Sequence, residues 1–379
     1  MISSKLTQKR NQLLLEIQGL SPKDKVLDLA NDHPLFPVPS GLVELVAGYM
    51  SEGFNHCLMP FGEIVLREQI AHMIETLYGY GYDPQNEITI CGGATQAIYT
   101  SITALVREGD EVLVFEPANQ CYAPSIEING GRPVYVQLKE PDFHINWSEV
   151  RKMVTGKTRM IILNSPHNPT GAVLGPNDMK ELQRIVRGTN IIILSDEVYQ
   201  HMVYNQLEHE SVARYPALAK RSMIAYSFGE TYNITGWGLG YCVGPAKLMR
   251  EFRKIQQIQL SSFNVPIQLA LAEFMAQRQE YLHLSEFYQG KRDYFQHLLN
   301  ETRLTPLPVW GGCSQLVDYS QISQDPDWTF ASKLLHNHQI AAIPLSAFHH
   351  EGKMNKYVRL CFARHESALD SAAKIFSKL

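Results

Sequence analysis

The chain has 379 residues, of which 45% are hydrophobic and 19% charged, with a formal net charge of −4. This length and composition suit a large globular domain plus a smaller one and argue against a disordered chain. The slightly acidic balance argues against a general nucleic-acid surface, and no apolar run approaches the ~20 residues of a membrane span.

The first twenty residues carry one short apolar run, Leu13 to Leu15, with no small-residue cleavage site after it, so no secretory signal is read and a cytoplasmic location is expected. The six cysteines are scattered without a C-x-x-C pair, which predicts free thiols. Ser4 to Ile17 reads as an amphipathic helix, followed by a loop containing Pro34, Pro37 and Pro39. Ser40 to Met50 and Glu63 to Tyr78 read as helices around the irregular stretch Asn55 to Gly62. From Glu87, β-runs alternate with helices. Strands are predicted at Ile88 to Ile90, Glu111 to Phe115, Pro133 to Gln137, Arg159 to Leu163, Asn190 to Leu194 and Met223 to Tyr226. Several are continuous apolar runs, the pattern of strands buried on both faces, and the alternation predicts a mostly parallel sheet covered by helices. Helices follow at Ala246 to Ile258, Pro266 to Gln277 and Tyr281 to Leu299. A tail of short strands and helices then reads as part of a smaller α+β domain.

Four blocks fall at the expected carboxyl ends of buried strands, where open α/β sheets bind ligands. Gly92-Gly93 leads into a helix start at Ala94-Thr95-Gln96, a candidate anion cradle of exposed N–H groups. Asn164-Ser165-Pro166-His167-Asn168-Pro169-Thr170-Gly171 is a rigid loop presenting His167 and Asn168. Ser195-Asp196-Glu197-Val198-Tyr199 ends a strand in two acids and a phenol. Tyr226 to Tyr241, Y-S-F-G-E-T-Y-N-I-T-G-W-G-L-G-Y, joins two strands through small-residue turns.

Together with Leu66 to Glu68, Ala341 to Phe348 and Tyr357 to Ala363, these blocks make the chain similar to the class I/II aminotransferases of the pyridoxal-phosphate fold type I family. The nearest resemblance is to the methionine and kynurenine–glutamine transaminase branch. The resemblance implies a mostly parallel seven-stranded sheet in a large domain (46–288) and a small α+β domain built from 1–45 together with 289–379. It also implies roles. Ala94, Thr95, Gln96 and Ser227 would surround the cofactor phosphate. Asp196 would pair with the pyridinium nitrogen. Asn168 and Tyr199 would hydrogen-bond the ring's phenolic oxygen, and Arg359 would hold a substrate carboxylate in its fork.

The departures from that pattern cluster in the same place. Glu230 stands where the resemblance expects the lysine that bonds the cofactor, and Gly238 where it expects a phosphate-binding cation. Asn119 stands at a stacking aromatic and Cys57 at a tyrosine that reaches the partner subunit's phosphate. Asp32 stands at a glycine of the substrate loop, and Gly312-Cys313-Ser314 replaces T-Y-F. Losing the phosphate anchor and the tyrosine contact would weaken pyridoxal phosphate by about 2–5 kcal/mol. The expectation is therefore no cofactor, or weakly bound pyridoxal or pyridoxamine phosphate, and no ordinary transamination. The pocket would take a small amino-acid-like ligand, its carboxylate on Arg359 and its amine near Glu230, Asp196 and Asp32. The alternative is an enzyme holding the cofactor non-covalently, with Glu230 as general base. A homodimer is expected, or a heterodimer with an active paralogue.

Overall fold

The computed structural model describes residues 5–20, 25–56, 60–259, 263–277, 280–352 and 355–379. In chain order the strands are β1 (Leu27–Asp28), β2 (Ile88–Cys91), β3 (Glu111–Glu116), β4 (Arg132–Gln137), β5 (Thr158–Asn164), β6 (Ile192–Asp196) and β7 (Ser222–Ser227). They continue with β8 (Gly240–Val243), β9 (Thr305–Pro306), β10 (Ser314–Asp318), β11 (Ile340–Ala341), β12 (Ile343–Pro344) and β13 (Tyr357–Cys361). Strands β2 to β8 form one seven-stranded sheet in the order β2-β8-β7-β6-β5-β3-β4. Its pairs are parallel except those of β8, which runs antiparallel to both β2 and β7.

The continuous apolar strands pack on both sides, as their composition predicts. Leu113, Phe115, Ile161, Leu163, Ile193 and Ile224 enter one core, while Val112, Val114, Met160, Ile162, Leu194 and Ala225 enter the other. Alternation with period two sends neighbouring residues to opposite faces, so a strand covered on both sides must be apolar throughout. The Asn190 to Leu194 run starts its strand two residues later than predicted, at Ile192, and extends it to Asp196.

A four-stranded antiparallel sheet, β12-β13-β10-β9, follows in the C-terminal third, and β1 pairs in parallel with β11. The short run from Ile340 to Pro344 is thus divided between two sheets. Ile340–Ala341 joins β1, while Ile343–Pro344 joins β13. The pairing of β1 with β11 brings the loop after Asp28 against β13, where Cys361 N–H donates to Leu29 O at 2.8 Å. No helix among the described residues is long and apolar enough to cross a membrane.

Candidate functional site

The carboxyl ends of β2, β5, β6 and β7 open on one edge of the large sheet. Together with the loop after β1 they enclose a cavity of about 270 Å³. At β2, Gly93 has φ +85°, a left-handed conformation that glycine adopts without strain, and the chain then enters the helix Ala94–Leu105. β8 passes directly behind this turn. A Cβ on Gly240 would lie 2.5 Å from Tyr226 O and 2.9 Å from Gly93 C, so only glycine lets the strand approach the cradle. Ala94 and Thr95 line the cavity, as does Ser227, whose Oγ accepts the Gly229 N–H at 3.0 Å to cap the short helix Phe228–Tyr232. Gln96 does not line it. Its Oε1 accepts the Gly92 N–H at 2.6 Å and its amide reaches Gln259, which holds the glycine turn.

The substrate-type residues Asp32 and Arg359 meet each other. Arg359 lies on β13 and is 4% exposed. Its Nη1 donates to Asp32 Oδ2 at 3.0 Å and to Asn168 Oδ1 at 2.9 Å, and its Nη2 donates to Ala30 O. Asn168 Nδ2 donates back to the same Asp32 oxygen at 2.5 Å. Burial pushes the Asp32 carboxyl up, but Arg359, His33 and Asn168 outweigh it and hold it below the ordinary carboxylate range. Arg359, expected to be open for a ligand carboxylate, therefore already holds one from the chain itself. The Asp32 loop is fixed from behind by Arg364, which is buried and donates to Asp28 O at 2.7 Å, Asn31 O at 2.6 Å and His33 O at 2.8 Å.

Glu230, on the helix Phe228–Tyr232, is buried and lines the cavity. Its Oε1 lies 3.8 Å from His33 Nδ1, while Oε2 has no hydrogen-bond partner among the described residues. His33, more than half exposed at the rim, is held protonated to higher pH by Glu230, against the effect of burial and with help from Asp32. Gly238 also lines the cavity, with φ +61° and nothing within 4 Å of where a Cβ would point. Asn119 lines it and spends its Oδ1 on the Cys121 N–H at 3.0 Å.

Asp196 ends β6. Its Oδ2 accepts the Tyr122 hydroxyl at 2.5 Å, and burial pushes its carboxyl up to about 6. A carboxyl raised on folding binds a proton that the unfolded chain has lost. Stability then falls as pH rises from about 4 through 6, by about 3 kcal/mol for this gap. Asp196→Asn should remove that slope. In urea unfolding, the variant is expected to gain about 3 kcal/mol on the wild type between pH 4 and pH 8. An equal pH dependence in the two proteins would refute the assignment.

The structure brings Ala94, Thr95, Asn119, Asn168, Asp196, Tyr199, Ser227, Glu230 and Asp32 to one cavity, with Arg359 beneath it. His167, read as presented by its loop, turns away. It is buried, bonds the Thr170 hydroxyl at 2.7 Å and lines a separate, more apolar cavity. Cys57 lies outside the described residues, and the other five cysteines are free. Three contributors went unread in the sequence: His33 at the rim, Tyr122 on Asp196 and Arg364 behind the loop. Tyr122 closes the same E-P-A-N-Q-C-Y block as Asn119, and His33 follows Asp32 directly; those neighbours were the available signal.

The profile of the family described as aminotransferase class I and II matches residues 24–376. Methionine aminotransferase of Escherichia coli is 41% identical over 377 residues, covering 99% of this chain and 98% of that protein. Kynurenine–oxoglutarate transaminase 3 of Rattus norvegicus is 30% identical, over 96% of this chain and 87% of the relative. Among solved structures, an Escherichia coli protein described as having a methionine aminotransferase function superposes with a TM-score of 0.92 at 40% identity, covering 100% of this chain and 98% of that one. N-succinyldiaminopimelate aminotransferase of Mycobacterium tuberculosis superposes at 0.90 with 28% identity, over 99% and 97% of the two chains. With a profile match across nearly its whole length and a relative 41% identical over 99% of it, the chain belongs to the class I and II aminotransferase family.

Proposed function

We infer that this family member binds a small amine-bearing ligand and does not carry out lysine-dependent transamination. The observation that carries the reading is Glu230. It occupies the position that the resemblance gives to the cofactor-bonding lysine, and its Oε2 is buried without a partner in a cavity that no lysine lines among the described residues. A carboxylate there accepts hydrogen bonds from an ammonium and cannot form a carbon–nitrogen bond to an aldehyde.

Pyridoxal phosphate fits this cavity in part. Asp196, Asn168 and Tyr199 would face the polar groups of its ring, and the N–H groups at Ala94 and Thr95 with the Ser227 hydroxyl would face its phosphate. Its covalent attachment and its charge do not fit. Glu230 puts an unpaired acid on the wall, Gly238 supplies no cation, and Arg359 is engaged by Asp32. Like charges at this range disfavour a dianionic phosphate. A second reading, the cofactor held weakly and non-covalently, is favoured by the three ring-type residues.

The two readings and ordinary family chemistry separate in one experiment. Purified protein is titrated with pyridoxal phosphate, followed by absorbance and reduced with borohydride. The expected result is no stoichiometric borohydride-fixed adduct on any one lysine and no saturation below millimolar pyridoxal phosphate. Such an adduct on the wild-type protein would overturn the proposal, and saturable tight binding without an adduct would favour the second reading. The same reading expects a homodimer, or a heterodimer with an active relative.

A further inference from the structure

Arg359 has two terminal nitrogens, and both are used within the chain. Nη1 binds Asp32 and Asn168, Nη2 binds Ala30 O, and the Phe348 ring covers one face with its centroid 5.2 Å from the guanidinium carbon. Nε alone lacks a partner among the described residues. Asp32 is not a loose surface acid that happens to reach this group. Asp28 Oδ1 accepts the N–H groups of Ala30 and Asn31, each at 3.0 Å, which shapes the turn. Cys313 Sγ donates to Asp32 O at 3.1 Å, and Arg364 grips the carbonyls on either side. The carboxylate is thus delivered to Arg359 by a backbone already held in place.

We propose that Asp32 is the specificity-determining residue of this cavity: it takes the place of a ligand's carboxylate on Arg359, so the site selects amines that carry no α-carboxylate over α-amino acids. This rests on the reading of Glu230 as the ammonium acceptor. A tethered carboxylate competes at high effective concentration, and a ligand that needs it displaced is weakened by the fraction of molecules in which it has moved. Displacement would also leave Asp32 and the incoming carboxylate as two anions side by side. An amine without a carboxylate meets no such competition. It reaches Glu230, whose Oε2 is otherwise unpartnered, and leaves the Asp32–Asn168–Arg359 triad closed.

The test uses two probes that differ only by the carboxylate, 3-(methylsulfanyl)propylamine and L-methionine, measured by calorimetry on the purified protein. In the wild type the amine is expected to bind at least ten-fold more tightly than the amino acid. In Asp32→Asn and Asp32→Gly that ratio should fall at least ten-fold through tighter binding of L-methionine. Equal or tighter binding of L-methionine by the wild type would overturn the proposal, as would an unchanged ratio in folded Asp32 variants. If neither variant folds, the wild-type ratio decides alone. Glu230→Gln separates the underlying reading. A ten-fold or greater loss of the amine supports it, while unchanged amine affinity beside a shifted Asp32 ratio overturns the ammonium site only. Binding of neither probe to any of these proteins overturns both.

Discussion

Glu230→Lys is expected to give a protein that takes up pyridoxal phosphate covalently, with a borohydride-fixed adduct on residue 230 where the wild type gives none. The substitution raises the formal charge of the cavity by about two at neutral pH. It breaks no close bond, because Glu230 Oε2 has no partner and Oε1 is 3.8 Å from His33. A charge-assisted hydrogen bond contributes about 1.5–3 kcal/mol, so non-covalent affinity alone should rise about 10- to 160-fold before any covalent bond forms. Turnover with amino acids is expected to stay far below that of a working transaminase. Gly238 still offers no cation, and Asp32 still holds Arg359. Mass spectrometry of the reduced protein reads the result, and an unmodified variant would refute the placing of residue 230 at the cofactor-bonding position.

Arg359→Ala is expected to be the most destabilising single change in the site, at about 3 kcal/mol. Removing one member of a buried ion pair leaves the other charge uncompensated, which typically costs about 3–5 kcal/mol. Asp32 keeps a quarter of its side chain exposed, so the lower end applies. The loss also strands Asn168 Oδ1 and Ala30 O, both of which accept from the guanidinium. Adding Asp32→Asn should recover about 1–3 kcal/mol of the loss, because the stranded charge goes with it. The sign with pH follows from Asp32 being held below its ordinary value. The stability that Arg359 confers through it is present above about pH 4 and fades as pH falls through the folded-state value. Urea unfolding at pH 7 checks the magnitude, and a single variant within about 0.5 kcal/mol of wild type would refute the pairing.

The large sheet was legible because its strands obey one strong rule. Strands covered on both faces are apolar through their middle, and Thr158–Asn164, with its run 160–163, and Ile192–Asp196, with its run 192–194, stand out for that reason. The polar residues at the end of such a run mark the edge where ligands bind, which is how Asp196 could be read in advance, whereas Ser227 and Glu230 were singled out by the resemblance. Short elements obey no such rule. The helix Tyr122–Ile128 is seven residues with a proline inside it, and the sequence offered no period long enough to reveal it. Strand Ile340–Ala341 exists only because Leu27–Asp28 lies beside it. Gln96 shows the same limit within the site. A side chain in the first turn of a helix can face the cavity or turn back on the preceding loop, and spacing does not distinguish the two. The Asp32–Arg359 pair spans 327 residues, and nothing local in either segment specifies the other. Both residues were assigned to the pocket, but as separate partners of a ligand.

The grip of Arg364 on the loop from Asp28 to His33 also sets a timetable. The donor and its farthest acceptor are 336 residues apart, and the nearest still 331. A ribosome adding roughly 5–20 residues per second finishes the loop roughly 15–70 s before it makes the arginine that shapes it. During that interval the newborn chain can build its large sheet and most of the cavity wall, which residues 92–239 supply, but not the fixed loop that carries Asp32. A chain stalled before residue 364 would therefore carry the large sheet and most of the cavity wall, with the loop from Asp28 to His33 still unshaped.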